Sequence, residues 1–160
     1  MEKLQKSKYL EAEMGDVIIS IRNSLDSGKK VLFTGTPCQA AGVRKIFGSH
    51  PNLVICDFIC HGVCSSAWYE KYIVAMESKY GARVKDVQFR SKAHGWRLYC
   101  MKIDFSNGRT YLKTQYSDPY YIDFFKNRHL RTNCYSCNYE VYYSRCRVCY
   151  KAVSTYAYPA

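Results

Sequence analysis

The chain has no apolar run of about 18 residues, so no membrane-spanning helix is read from it. Its start, Met-Glu-Lys-Leu-Gln-Lys, lacks the charged-then-apolar layout of a secretory signal. There is no internal repeat and no run of five basic residues. The cysteines number nine, an odd count that argues against a disulfide framework. A cytoplasmic protein is expected on these absences, and cysteines in that compartment point to metal or redox use. Acidic residues are scarce: 13 Asp and Glu stand against 24 Lys and Arg, for a formal charge of +11. That excess fits nucleic acid, an acidic membrane surface, or a basic surface meeting an anionic cofactor or acidic partner. The basic residues are dispersed, which favours the last; no membrane partner is expected, and nucleic acid is the lesser reading. The 160 residues, 48% of them hydrophobic, suffice for one domain with a sizeable core.

The first half reads helix, strand, helix, strand, helix. A helix is expected over 13–27, with Val17, Ile18, Ile21 and Leu25 on one face and Gly28 as its stop. Lys30–Phe33 reads as a short buried strand, followed by the turn Thr34-Gly35-Thr36. Pro37 suits the first turn of a second helix, where its missing N–H costs nothing, and that helix runs to about Phe47. Leu53–Ile59 reads as a second strand, and Ser65 or Ser66 caps a third helix that ends before Gly81. In the second half, 84–90 and 97–105 alternate like strands. Asn107-Gly108 signals a hairpin, Thr110–Gln115 is the return strand, and Pro119 opens a short helix. The fold class is therefore α/β: a core of parallel strands, an antiparallel β-hairpin region, and a cysteine-bearing C-terminal loop and tail. Residues 1–139 are read as one domain, and 140–160 as a divergent tail rich in tyrosine and cysteine.

Three motifs carry chemistry. Cys38 in Gly-Thr-Pro-Cys-Gln (35–39) and Cys60 in Cys-His-Gly (60–62) both follow strand C-termini, the sheet edge where open α/β folds bind ligands. Cys134 and Cys137 form a Cys-x-x-Cys, a spacing that lets one loop give two thiolates to one metal. Four such thiolates would complete a site for an iron–sulfur cluster or a zinc ion. The helix N-terminus at Cys38 favours a thiolate, and the N–H groups of Gly35 and Thr36 are candidates to receive a phosphate. Cys56, Cys64 and Cys100 read as packing residues. Cys146-x-x-Cys149 with Cys134 and Cys137 offers an alternative: a zinc-binding, basic nucleic-acid module with tyrosines as stacking platforms.

At these residues the sequence resembles the beta subunits of coenzyme F420 hydrogenases and dehydrogenases. The resemblance rests on Lys8-Tyr9, Gly15-Asp16, Val-Leu-Phe-Thr-Gly-Thr-Pro-Cys-Gln (31–39), Asp57 and Cys-His-Gly-Val (60–63). It continues through Phe-Arg-Ser-Lys (89–92), Gly95-Trp96, Asp118-Pro119-Tyr120, Phe124-Phe125, Leu130-Arg131 and the Cys-x-x-Cys. It implies an iron–sulfur flavoprotein oxidoreductase passing electrons between a 4Fe-4S cluster, FAD and an organic acceptor such as coenzyme F420. Cys38, Cys60, Cys134 and Cys137 would ligate the cluster. Thr34, Gly35, Thr36, His61 and Gly62 would lie near the flavin, with Arg90, Lys92 and Trp96 lining the same pocket. The partners implied are a ferredoxin-like segment or subunit and a small-molecule electron acceptor. Family members usually carry Pro where Cys64 stands, an upstream cluster-bearing segment, and a different continuation after the Cys-x-x-Cys. On that comparison the chain is expected to be a middle slice with an incomplete FAD site.

Overall fold

In the computed structural model, residues 9–58 and 60–139 are described. They divide between two units. One holds Ala12–His61 together with 136–139, and the other holds residues up to Glu11 together with Gly62–Tyr135.

The first unit is built from α1 (Val17–Asp26), β1 (Val31–Gly35), α2 (Pro37–Phe47) and β2 (Leu53–Asp57). Ile21 and Leu25 of α1 pack with Phe33, Ala40 and Val43 as its buried core, and Val17, Ile18 and Ile55 lean against them. The apolar spacing along α1 puts these residues on one face, as the sequence indicates. The helix starts at Val17 and not at residue 13, because the chain turns first: Gly15 has φ +35° and the Val17 N–H donates to Met14 O at 2.8 Å. β1 and β2 pair in parallel, Val31 with Leu53 through Gly35 with Asp57, across the α2 connection. β1 was expected to be buried, and one face of it is: Phe33 is 8% exposed. The register partners Leu32 and Val54 share the other face and are 67% and 54% exposed.

The second unit holds α3 (Ser66–Tyr80), β3 (Val84–Ser91), β4 (Cys100–Phe105), β5 (Thr110–Thr114) and α4 (Pro119–Phe125), then a 3-10 turn at Thr132–Cys134. The strands form an antiparallel sheet in the order β3-β4-β5. Asn107-Gly108 makes the expected tight turn: Gly108 takes φ +80°, and Asn107 Oδ1 accepts the Arg109 N–H at 3.1 Å. β4 begins at Cys100 rather than 97, since residues 92–98 are an exposed loop and not part of the ladder. Ser65 caps α3 by accepting the Trp68 N–H, and Gly81 ends the helix in the left-handed conformation.

The core of this unit is aromatic. Tyr72, Phe89, Phe105, Tyr111, Tyr120, Tyr121 and Phe124 are all buried with Met76, Met101 and Ile103. Tyr9 fits among them, its ring 5.5 Å from Tyr121 and 5.1 Å from Phe124, both edge-on. Each buried Phe or Met side chain contributes on the order of 1.5–3 kcal/mol. At the centre lies Asp118, fully buried. Its Oδ1 caps α4 by accepting the Tyr121 N–H at 3.0 Å, while Oδ2 accepts the hydroxyls of Tyr72 at 2.8 Å and Tyr111 at 2.9 Å. One carboxylate thereby ties α3, β5 and α4 together. Burial pushes its pKa up, against the opposing pull of these hydrogen bonds. Among the described residues no helix is long and apolar enough to cross a membrane.

Candidate functional site

In the first unit, the parallel register decides what the strand ends share. Gly35 and Asp57 are partners, so Cys38 and Cys60 each follow by three residues the same end of the two-stranded sheet. Gly35 has to lack a side chain: a Cβ there would stand 2.8 Å from the Phe33 ring and 3.1 Å from Gln39 Oε1. Thr36 is the N-cap of α2 in extended conformation, and Pro37 presets the first helical φ. The Thr36 N–H donates to Gln39 Oε1 at 3.0 Å, and the Thr36 hydroxyl lies 3.2 Å from Cys38 Sγ. The Thr36 amide thus already has a partner within the turn, while Thr34 is exposed. Gln39 Nε2 reaches Ala12 O at 3.4 Å, bracing the turn from the approach to α1. His61 is half-buried.

In the second unit, residues 63–65 run beside 129–131. Arg131 N–H donates to Val63 O and Ser65 N–H to His129 O, each at 2.9 Å, with Cys64 and Leu130 bridged between them. Gly62 enters this clamp at φ +133°, and a Cβ added to it would meet Leu130 Cδ1 at 3.0 Å and Cys134 Cβ at 3.7 Å. Cys134 ends the 3-10 turn, with its N–H on Arg131 O at 2.8 Å. Trp68 stacks on His129 with ring centroids 4.1 Å apart, which steadies the same strand.

Burial sorts the cysteines. Cys64 and Cys100 are 2% and 0% exposed, and burial pushes both thiols above their usual pKa. Neither is suited to ligate as a thiolate. Cys56 is half-buried within β2. Cys38 is exposed, and Cys60, Cys134 and Cys137 are half-buried on loops at element ends. As donors these four fit a thiolate-held group in kind: sulfur, accessible, and outside the strand interiors. Among the described residues no three His, Cys, Asp or Glu side chains are gathered in one metal-binding group. Cys146 and Cys149, on which the zinc alternative depends, lie outside the described residues.

Arg90, Lys92 and Trp96 belong to the end of β3 and the loop after it. Arg90 stands over the Tyr99 ring at 4.4 Å, and Lys92 over Trp96 at 3.0 Å. Trp96 is 76% exposed. Burial, helped by Tyr9, pushes the Tyr99 hydroxyl up to about 12 even with Arg90 beside it. This is an aromatic and cationic surface on which a planar anionic ring could lie, and Tyr99 is a member of it that sequence reasoning missed. Asp118 and the Thr36 contact to Cys38 were missed as well. Asp before Pro-Tyr was readable as a helix cap, whereas its two phenolic partners come from other elements, one of them far away in sequence.

Comparison with curated proteins gives no match, and comparison with solved structures gives none. One family model matches over residues 28–157, and it describes the C terminus of the coenzyme F420 hydrogenase/dehydrogenase beta subunit. The match spans both the Gly-Thr-Pro-Cys-Gln turn and the Cys-x-x-Cys, and it runs on through most of the Tyr- and Cys-rich segment after residue 139. What it describes is part of an oxidoreductase. The chain belongs to the coenzyme F420 hydrogenase/dehydrogenase beta-subunit family, matching the C-terminal region of that protein.

Proposed function

We propose that this chain is an iron–sulfur flavoprotein domain that passes electrons between a 4Fe-4S cluster, FAD and an organic acceptor such as coenzyme F420. The observation that carries the reading is the parallel β1–β2 register, which sets Cys38 and Cys60 past the same end of one sheet. When bound, the two groups would supply one-electron storage and its conversion to hydride transfer. The chain's own part is to hold them. Cys38, Cys60, Cys134 and Cys137 ligate as thiolates, offered by three separate segments of the chain. The exposed Lys92–Trp96 stack and Arg90 give the flavin a face and a counter-charge, and Thr34, Gly35, Thr36, His61 and Gly62 border it. The electron partner is a ferredoxin-like segment or subunit, and the setting is the cytoplasm. Residues 1–139 carry these roles, without the 140–160 segment.

The test is the metal content and spectrum of anaerobically purified protein. About four irons per chain are expected, as for one cubane on four thiolates. Serine substitution at Cys38, Cys60, Cys134 or Cys137 is expected to remove most of the iron, and Cys100→Ser to leave it. Stoichiometric zinc in a colourless protein would overturn the reading.

A further inference from the structure

The turn before Cys38 holds a contact that the electron-transfer reading does not use. We infer that Thr36 is a positioning residue for the Cys38 sulfur, donating a hydrogen bond that tunes the group held there. The inference rests on the cluster reading above.

The geometry is specific. Thr36 Oγ1 lies 3.2 Å from Cys38 Sγ, within hydrogen-bond reach of a sulfur acceptor. The residue is held in place twice over. Its own N–H is bound to Gln39 Oε1 at 3.0 Å, and it precedes Pro37, which confines it to extended backbone. Threonine is β-branched, so its side chain has few rotamers to lose at such a site. In the contact either atom can be the donor; once Cys38 ligates it is a thiolate and can only accept, so the Thr36 O–H then donates to Cys38 Sγ. Donors to ligand sulfurs draw charge from them and favour the more negative, reduced form of the held group. Threonine at this position therefore raises the reduction potential, whereas an isosteric valine cannot.

The experiment compares Thr36→Val and Thr36→Ser with the unaltered chain, each purified anaerobically. Three quantities are read: iron per chain, reduction potential by dye-mediated titration, and visible spectrum. Thr36→Val is expected to keep its iron and to shift the potential to more negative values. Thr36→Ser, which retains the hydroxyl, is expected to stay close to the unaltered chain. Unchanged potential in Thr36→Val with iron retained would overturn the inference. So would an equal shift in both variants, because that would reflect the fold of the turn and not the hydroxyl. If the unaltered chain holds no iron, the cluster reading falls separately, and cobalt(II) then serves as the probe. Its sulfur charge-transfer band is expected to move to lower energy in Thr36→Val and not in Thr36→Ser. A band that is the same in all three, or no cobalt bound by the unaltered chain, would overturn the role of Thr36 as well.

Discussion

Replacing Asp118 by Asn keeps shape, volume and helix-capping ability, and so isolates the two tyrosine hydroxyls. Asn caps helices as well as Asp does. Its carbonyl oxygen can therefore keep the Tyr121 N–H now held at 3.0 Å. That leaves an amide NH2 facing the Tyr72 and Tyr111 hydroxyls, which donate to Oδ2 at 2.8 and 2.9 Å. Donors then meet donors in a site where Asp118 is 0% exposed. One or two hydroxyl protons lose their acceptor, each costing about 1–3 kcal/mol. Losing a buried carboxylate returns part of that, because burial disfavours its charged form. We expect a net loss of about 2 kcal/mol, or about 4–8 °C in Tm for a chain of this size. Both tryptophans, Trp68 and Trp96, belong to the unit that contains Asp118, so their fluorescence during urea unfolding reads that unit. The urea midpoint should fall at constant slope. Tyr111→Phe should cost about 1 kcal/mol in the unaltered chain and much less in the Asp118→Asn background. Additive effects of the two substitutions, or a cost for Asp118→Asn below about 0.5 kcal/mol, would show that Asp118 does not organise this core.

Three further outcomes are expected. Asp118 has a folded-state pKa above its unfolded value, so the carboxyl favours folding most at pH values below the ordinary Asp pKa. That contribution is lost as pH rises through the raised value. The urea midpoint of the unaltered chain, relative to Asp118→Asn, should accordingly decline upward from about pH 4, and parallel curves would refute it. Gly62→Ala forces a side chain into φ +133° and against Leu130, and should cost about 1–3 kcal/mol by the same fluorescence assay. In metal-free protein, iodoacetamide should label exposed Cys38 first and buried Cys64 and Cys100 last, as read by peptide mass mapping. Early labelling of Cys100 in the folded chain would contradict the burial argument.

Much of the local structure was legible because local chemistry decides it. Pro37 sets the start of α2, Ser65 and Gly81 bound α3, and Asn107-Gly108 turns β4 into β5. The misplaced boundaries have local causes too. Gly15 at positive φ delays α1, and Arg97 and Leu98 alternate like strand residues yet lie in an exposed loop. Beyond reach were contacts between elements far apart in sequence. Nothing near Tyr72 announces that its hydroxyl meets Asp118, 46 residues on. Nor does an unbroken α/β pattern announce that the chain divides at His61 and Gly62 into separate units.

The candidate cysteines depended on one topological inference, that the strands before Cys38 and Cys60 run the same way. Strand direction is not written in either strand. It follows from the length of the connection, since a helix as long as α2 between two strands returns the chain to the starting end of the sheet. Had β2 run antiparallel, its terminus would lie at the opposite end of β1, about 16 Å away for five residues at ~3.3 Å each. Cys38 and Cys60 would then have shared no edge. The observed pairing of Gly35 with Asp57 removes that alternative. It also explains why Cys56 is a poorer candidate than Cys60, four residues along the same segment. Cys56 pairs with Thr34 inside the ladder and is oriented by the pleat, whereas Cys60 lies past the last hydrogen-bonded pair. Beyond that pair the backbone no longer dictates where a thiol points, and a ligand can.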